Sequence, residues 1–215
     1  MYKKIYTQTD QYYTSLIDKY GPNHQGIGWN STDSQFLRYE QISKIIAEEQ
    51  QEDNFVICDY GCGYGQLYEY LQSKIKDKGS LQYIGIDISN HMIQNAKELY
   101  GENNEQHSFI EIASIEDISE YDYIVSSGIF NIKQEIGYEE WTQYVLHNLE
   151  QFNKKSRKGF SFNCLTKYSD EWLMKDELYY GDPLFFFDYC KRHFSKNVAL
   201  LHDYDLYEFT ILVRK

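Results

Sequence analysis

Positive charge and proline are both scarce in this chain. Its 215 residues carry 21 Lys and Arg against 33 Asp and Glu, a formal net charge of -12. Such a surplus repels a phosphate backbone and argues against a nucleic-acid substrate unless a local basic patch overrides it. The densest basic stretch, "NKKSRKG" at Asn153 to Gly159, reads as a solvated loop ahead of a strand. Cysteine is sparse too. Cys58, Cys62, Cys164 and Cys190 form no CxxC pair, and no His pair has finger spacing, which argues against zinc and for buried reduced thiols. No apolar run approaches about 18 residues, and the N-terminus "MYKKIYTQTD" has no apolar core of a signal peptide. A soluble, cytoplasmic protein that spans no membrane is expected. Only two prolines alongside 22 tyrosines argue against disorder, and the length fits one domain with a continuous core.

What the chain does have is alternation. Residues 1–32 show weak periodicity and are read as a cover segment ahead of a domain over 33–215. From Asp33 the pattern turns helical, with Phe36, Leu37, Ile42, Ile45 and Ile46 on one face and Ser31, Thr32 or Asp33 as caps. "FVICDY" predicts a buried strand and "GQLYEYLQSKIKD" a helix with Leu67, Tyr70, Leu71 and Ile75 inward. "LQYIGID" is the next strand, and "SNHMIQNAKELY" a helix capped by Ser89 or Asn90. "HSFIEIA" and "YDYIVSSGIF" follow as strands, "YEEWTQYVLHNLEQF" as a helix and "GFSFNCL" as a fifth strand. "DPLFFFDYCKRHF" predicts a last helix with Pro183 in its first turn, and "NVALLHDYDLYEFTILVRK" an antiparallel hairpin. This order implies an α/β fold with a mostly parallel sheet, whose ligands sit beyond the carboxyl ends of the strands.

One stretch occupies that edge. "VICDYGCGYGQL" puts Asp59 two residues before Gly61, then Gly63 and Gly65 at alternate positions. Glycines there let a ligand approach the backbone. The dinucleotide pattern G-x-G-x-x-G needs a glycine at position 66, where this chain has Gln66. Asp59 would repel a pyrophosphate and receive a cation. Asp87 ends the strand "YIGID", where a carboxylate can accept both ribose hydroxyls. "IASIED" after the third strand offers the Ser114 and Ile115 backbone, with Glu116 or Asp117 near an adenine amino group.

These stations resemble those of the class I S-adenosylmethionine-dependent methyltransferases, through "VICDYGCGYGQL", "YIGIDIS", "IASIED" and "YDYIVSSGIFNI". The resemblance covers the chain from about Asp53 onward. It implies a Rossmann-like fold with a seven-stranded, mostly parallel sheet, a C-terminal antiparallel hairpin and helices on both faces. It also implies S-adenosylmethionine as cofactor. Carried over by motif position, Asp59, Gly61 and Gly63 lie by the methionine moiety, Asp87 by the ribose, and Ser114, Ile115 and Glu116 by adenine, with Cys62, Ile88 and Met92 beside them as further cofactor-binding candidates. Ser127 and Phe130 fall in the segment after the fourth strand, "SSGIFN", which lacks the N-P-P-Y or D-P-P-Y signature of many amino-methylating enzymes of nucleic acids and proteins. With the acidic charge, that points to a small polar metabolite, of the kind methylated by family members acting on sugar-derived compounds.

Methyl transfer to a hydroxyl or an ammonium also needs a proton removed. His24 in "GPNHQGIGWNS" and His202 or Tyr204 in "LHDYD" are candidate bases, against simple loop and turn roles. His24, His202 and Asp203 together suggest a metal only if the fold unites them, and no metal is expected. Trp29 packs on the sulfonium or within the cover, and Arg38 either clamps the methionine carboxylate or forms a salt bridge. Phe130 and Asn131 border a ligand or pack at a strand end, and "LYYGDPLFFFDYC" walls an acceptor pocket or fills the core. His91, His107, His147 and His193 need no function. The competing readings are a SAM-binding partner or sensor that no longer catalyses and a nicotinamide-dependent oxidoreductase. The oligomeric state is open.

Overall fold

The alternating apolar runs become the seven strands of one sheet in the computed structural model, which describes residues 2–46, 54–75 and 81–215. The strands are β1 (Phe55–Tyr60), β2 (Leu81–Asp87), β3 (His107–Glu111), β4 (Tyr121–Ser126), β5 (Ser156–Leu165), β6 (Asn197–Leu201) and β7 (Glu208–Arg214). Their order is β3-β2-β1-β4-β5-β7-β6. β1 to β5 run parallel, β7 pairs antiparallel with both β5 and β6, and the strand order reverses between β1 and β4. A crevice opens at such a reversal because the two connections leave in opposite directions.

Side chains alternate across the sheet and build two cores. On one face Phe55, Ile57, Tyr83, Tyr123 and Val125 meet helices α2 (Thr32–Ser43), α3 (Gln66–Lys74) and α4 (Asn90–Tyr100). On the other, Cys58, Tyr60, Ile124, Phe160 and Phe162 meet α5 (Tyr138–Lys155) and α6 (Pro183–His193). Asp182 caps α6 by accepting from the Leu184 and Phe185 N–H groups, and Pro183 occupies its first position, where a missing N–H costs nothing.

Four readings of the sequence change. Residues 3–20 are not weakly structured: Lys3–Tyr20 form a helix, α1. Its inward side is made largely of tyrosine, with only Ile5 and Ile17 fully buried, so the aliphatic periodicity is thin. Tyr2 and Tyr6 set their rings against Tyr144 of α5, at 5.2 and 6.0 Å between centroids. In α2, capped by Ser31, the inward positions are Gln35, Arg38, Tyr39 and Ile42, whereas Phe36 is exposed. The predicted Ile42, Ile45 and Ile46 are buried, and polar side chains share the inward face because they find partners there: Gln35 donates to the Tyr39 and Tyr64 hydroxyls at 2.9 and 3.1 Å. "NKKSRKG" is not a loop. Asn153 to Lys155 end α5 and Ser156 to Gly159 begin β5, where Arg157 pairs with Asp122 across the strands at 3.1 Å. Finally, the third and fourth strands stop at Glu111 and Ser126, short of the predicted Ala113 and Phe130. Asp53 and the predicted helical end at Lys76 and Asp77 lie outside the described residues.

Phe152 of α5 is fully buried between Tyr60 and Phe160, with ring centroids at 5.3 and 6.0 Å. Phe152→Ala is expected to cost about 3–5 kcal/mol, read as a lower urea midpoint. An unchanged midpoint would mean that α5 does not pack on the sheet this way.

Candidate active site

The chain leaves β1 at Tyr60 and must turn immediately, and the end of β2 holds that turn. The N–H groups of Gly61 and Cys62 both donate to the Ile86 carbonyl, at 2.7 and 3.0 Å. The next and last residue of β2 completes the grip: Asp87 Oδ2 accepts the Gly63 N–H at 2.9 Å, and Oδ1 accepts the Ser89 N–H at 2.9 Å. Gly61 has φ 79°, and a Cβ there would lie 2.2 Å from the Ile129 side chain. Only glycine fits between the loop and the segment after β4.

Around the loop is a cleft of about 850 Å³, counted to its open mouth. The sheet supplies Asp59 and Asp87, and α1 covers it with Thr9, Asp10 and Tyr13. Thr14 of α1 comes within 3.4 Å of Ser89 Oγ, tying the cover to the start of α4. Among the described residues no Lys, Arg or His lines this cleft. Among those residues its carboxylates form no ion pair. Asp59 is buried, and its Oδ2 accepts the Tyr83 hydroxyl at 2.6 Å. Burial pushes its carboxyl up to about 7, against the downward pull of the Tyr83 hydroxyl and with a further push from Asp87. Burial likewise raises Asp87 to about 6; the Ser89 and Gly63 N–H groups pull it down, and the negative charge of Asp10 pushes it up.

The family pattern of a "Methyltransferase domain" matches residues 51–165, just over half of the chain. The chain is 50% identical over 163 residues to "Putative methyltransferase Rv1506c" of Mycobacterium tuberculosis (strain ATCC 25618 / H37Rv), covering 76% of this chain and 95% of that protein. It belongs to the SAM-dependent methyltransferase family. Its fold is that of magnesium protoporphyrin IX methyltransferase from Synechocystis PCC 6803, crystallised with bound SAM. The TM-score is 0.67 at 14% identity over 98% of this chain and 97% of that one. Human N-acetylserotonin methyltransferase, in complex with SAM, is similar at a TM-score of 0.61 and 14% identity, over 98% of this chain and 56% of that one.

The cleft of the methyltransferase fits that cofactor. S-adenosylmethionine brings a sulfonium and an ammonium, and Asp10, Asp59 and Asp87 offer negative charge with no competing cation among the lining residues. A pyrophosphate would meet three carboxylates instead. Of the residues singled out in the sequence, Trp29, Asp59, Gly61, Cys62, Gly63, Asp87, Ile88, Met92 and Ser127 all line it.

Others lie elsewhere. Phe130 is fully buried in the core, edge-on to Phe162 at 5.9 Å. Ile115 is also core, and Ser114 caps a short 3₁₀ turn by accepting the Glu116 N–H at 3.2 Å. Glu116 bonds His147 at 2.8 Å. None of the three lines the cleft. Arg38 is not a free clamp for a carboxylate. Its Nε and a terminal nitrogen reach Glu208 of β7 at 2.8 and 2.6 Å, and the guanidinium lies 4.7 Å over the Trp29 ring. His24 sits within 3.4 Å of Thr32 Oγ1, and exposed His202 lies beside Tyr168 at 6.0 Å between centroids; neither borders a cleft. Among the described residues no group of three could hold a metal ion.

Arg38, Glu208 and Tyr204 border a second, wider cleft of about 1840 Å³, again counted to its mouth. Tyr13, Ile27, Trp29 and Gly128 line both clefts and so form the wall between them. A Cβ on Gly128 would come within 3.0 Å of the Trp29 ring. The aromatic run 178–190 divides between roles: Leu178 and Tyr180 line the second cleft, whereas Tyr179, Phe186 and Cys190 are core. Sequence reasoning missed Asp10, Tyr13 and Glu208. Asp10 and Tyr13 fall i, i+3 on a helix whose face tyrosines conceal, and Glu208 opens a strand with nothing local to mark it.

The two raised carboxylates set a pH dependence. The folded protein binds protons there that the unfolded chain, with ordinary carboxyls, releases near pH 4. Stability is then fully present at low pH and lost as pH rises through about 6 and about 7. In calorimetric scans, lowering the pH from about 7.5 to about 5.5 is expected to raise Tm. Asp59→Asn should flatten that slope and raise Tm at the upper end. A variant with the parent's slope would show that Asp59 is not the group concerned.

Proposed function

We propose that the protein transfers a methyl group from S-adenosylmethionine to an oxygen or nitrogen of a small polar metabolite, with the donor in the first cleft and the acceptor in the second. One observation carries the reading: a carboxylate-lined cleft without cations shares a wall with a wider cleft of mixed aromatic and polar lining. The cofactor supplies an electrophilic methyl on a sulfonium. The acceptor's lone pair attacks that methyl, the thioether leaves as a neutral group, and the acceptor's O–H or N–H proton passes to solvent at the cleft mouth; positioning is worth much of the rate in such a displacement.

Asp87 keeps one lone pair on each oxygen after accepting the Gly63 and Ser89 N–H groups, and these suit a ribose diol. Asp59 and Asp10 balance the ligand's positive charge. Trp29 closes the donor side, with residues 1–32 acting as the cover of a domain over 33–215. Tyr204 borders the acceptor cleft but has its hydroxyl on Thr210 at 2.8 Å, and burial pushes the phenol up. It orients the acceptor and takes no proton. The formal charge of -12 supports a small-molecule acceptor over a nucleic acid, and no described helix is long and apolar enough to cross a membrane.

Calorimetric titration with S-adenosylmethionine, its demethylated product and NAD tests the donor site. The first two are expected to bind in the micromolar range and NAD not at all; binding of NAD alone would reject the reading. Asp87→Ala is expected to weaken both nucleosides by about 1–3 kcal/mol, because the ribose hydroxyls lose their acceptor in a buried site. An acceptor screen that follows homocysteine-nucleoside release then reads turnover. Tight nucleoside binding with no turnover on any acceptor would favour a sensor or partner subunit.

A further inference from the structure

The second cleft has a buried floor that matches one kind of acceptor. Glu208 is 1% exposed, and Arg38 and Asn131 are each 8% exposed, yet all three line the cleft. They form one network. Glu208 Oε1 takes Arg38 at 2.8 and 2.6 Å and the Asn131 amide at 3.4 Å, and Oε2 takes the Asn163 amide at 3.1 Å. Arg38 gives one further N–H to the Ser34 carbonyl at 2.9 Å, which leaves two of the five guanidinium N–H groups unspent. Asn131 has one amide hydrogen left after its bond to Glu208, and Glu208 Oε2 retains acceptor capacity.

Three features narrow the ligand. The floor offers donors and acceptors side by side, which suits hydroxyls, since each both donates and accepts; a carboxylate only accepts and an ammonium only donates. The charge of Arg38 is already matched by Glu208, and the rim carries two acidic residues, Glu177 and Asp205, against one basic residue, Lys175, so the lining is net negative and disfavours an anion. The walls are aromatic: Tyr12, Tyr13, Trp29, Tyr180 and Tyr207. Faces of such rings attract the polarised C–H groups of a flat ring.

We propose that Arg38, Glu208 and Asn131 are the specificity-determining floor of the acceptor site and that they select a neutral polyhydroxylated ring. This deepens the methyl-transfer reading above and rests on it. Arg38 thereby serves the acceptor side rather than the methionine carboxylate.

Saturation-transfer NMR on the full chain, with the demethylated cofactor product bound, provides the test. The probes are methyl α-glucopyranoside and myo-inositol, with glucuronate and glucosamine as charged counterparts. Ring C–H signals of at least one neutral probe are expected, with weaker signals for both charged ones. The double variant R38M/E208M replaces the buried pair by side chains of similar bulk, a change that buried pairs often tolerate. It should weaken the neutral probe about tenfold or more, the loss of one to two hydrogen bonds. The cofactor product should still bind, within about fivefold, the effect of removing the Arg38 cation from over the Trp29 ring, which also reports that the variant is folded. Should that variant fail to fold, Tyr12→Ala, which removes a wall residue of the second cleft only, is expected to weaken the same probe severalfold. No transfer to any neutral probe, a stronger signal from glucuronate or glucosamine, or unchanged binding in a folded variant would overturn the proposal. Failure of the wild-type protein to bind the cofactor product would instead reject the donor site beneath it.

Discussion

The end of β2 grips the first turn after β1, and the rest of the site is arranged around that grip. Three consecutive N–H groups, those of Gly61, Cys62 and Gly63, are taken by the Ile86 carbonyl and the Asp87 carboxylate. Neighbouring parallel strands hold these residues in register, with Asp59 opposite Gly85 and Tyr60 opposite Ile86. A turn made this way needs no side chains of its own. It leaves the crevice at the strand-order reversal free for a ligand, and it fixes the depth at which Asp59 and Asp87 stand.

That arrangement carries an electrostatic cost within the chain. Burying a carboxylate without a cation disfavours its ionised form, and the upward displacement of both Asp59 and Asp87 records it. Natural cores avoid this by pairing, as Arg38 and Glu208 do a short distance away in the same molecule. The contrast is informative. One acidic group has its partner built into the chain, while three in the neighbouring cleft have none lining it, a pattern that suits a protein whose counter-charge arrives with its ligand.

Much of the sheet was legible because its signals are local. Strand β2 spans the predicted "LQYIGID" to the residue, and the glycine loop announces itself through spacing. Helix α1 was hidden for a physical reason: tyrosines bury their rings while keeping a hydroxyl wet, so the hydropathy pattern of a Tyr-rich helix is faint. The inward Ile42, Ile45 and Ile46 were legible, but Gln35 and Arg38 look like surface residues until Tyr39, Tyr64 and Glu208 appear beside them. Those partners lie up to 170 positions away in the chain. Likewise the segment after β3 folds into a capped turn over core Ile115, and which of its atoms borders a cleft depends on packing that no short motif encodes.

The shared partition of Tyr13, Ile27, Trp29 and Gly128 has an architectural corollary. Three of its four members come from the first 29 residues, and the fourth, Gly128, comes from the loop that follows β4. The two chambers are thus cut by a segment that contributes no strand. Recutting that segment would reshape both compartments at once and leave the backbone clamp beneath them intact, so the fold separates the part that must stay constant from the part free to diversify.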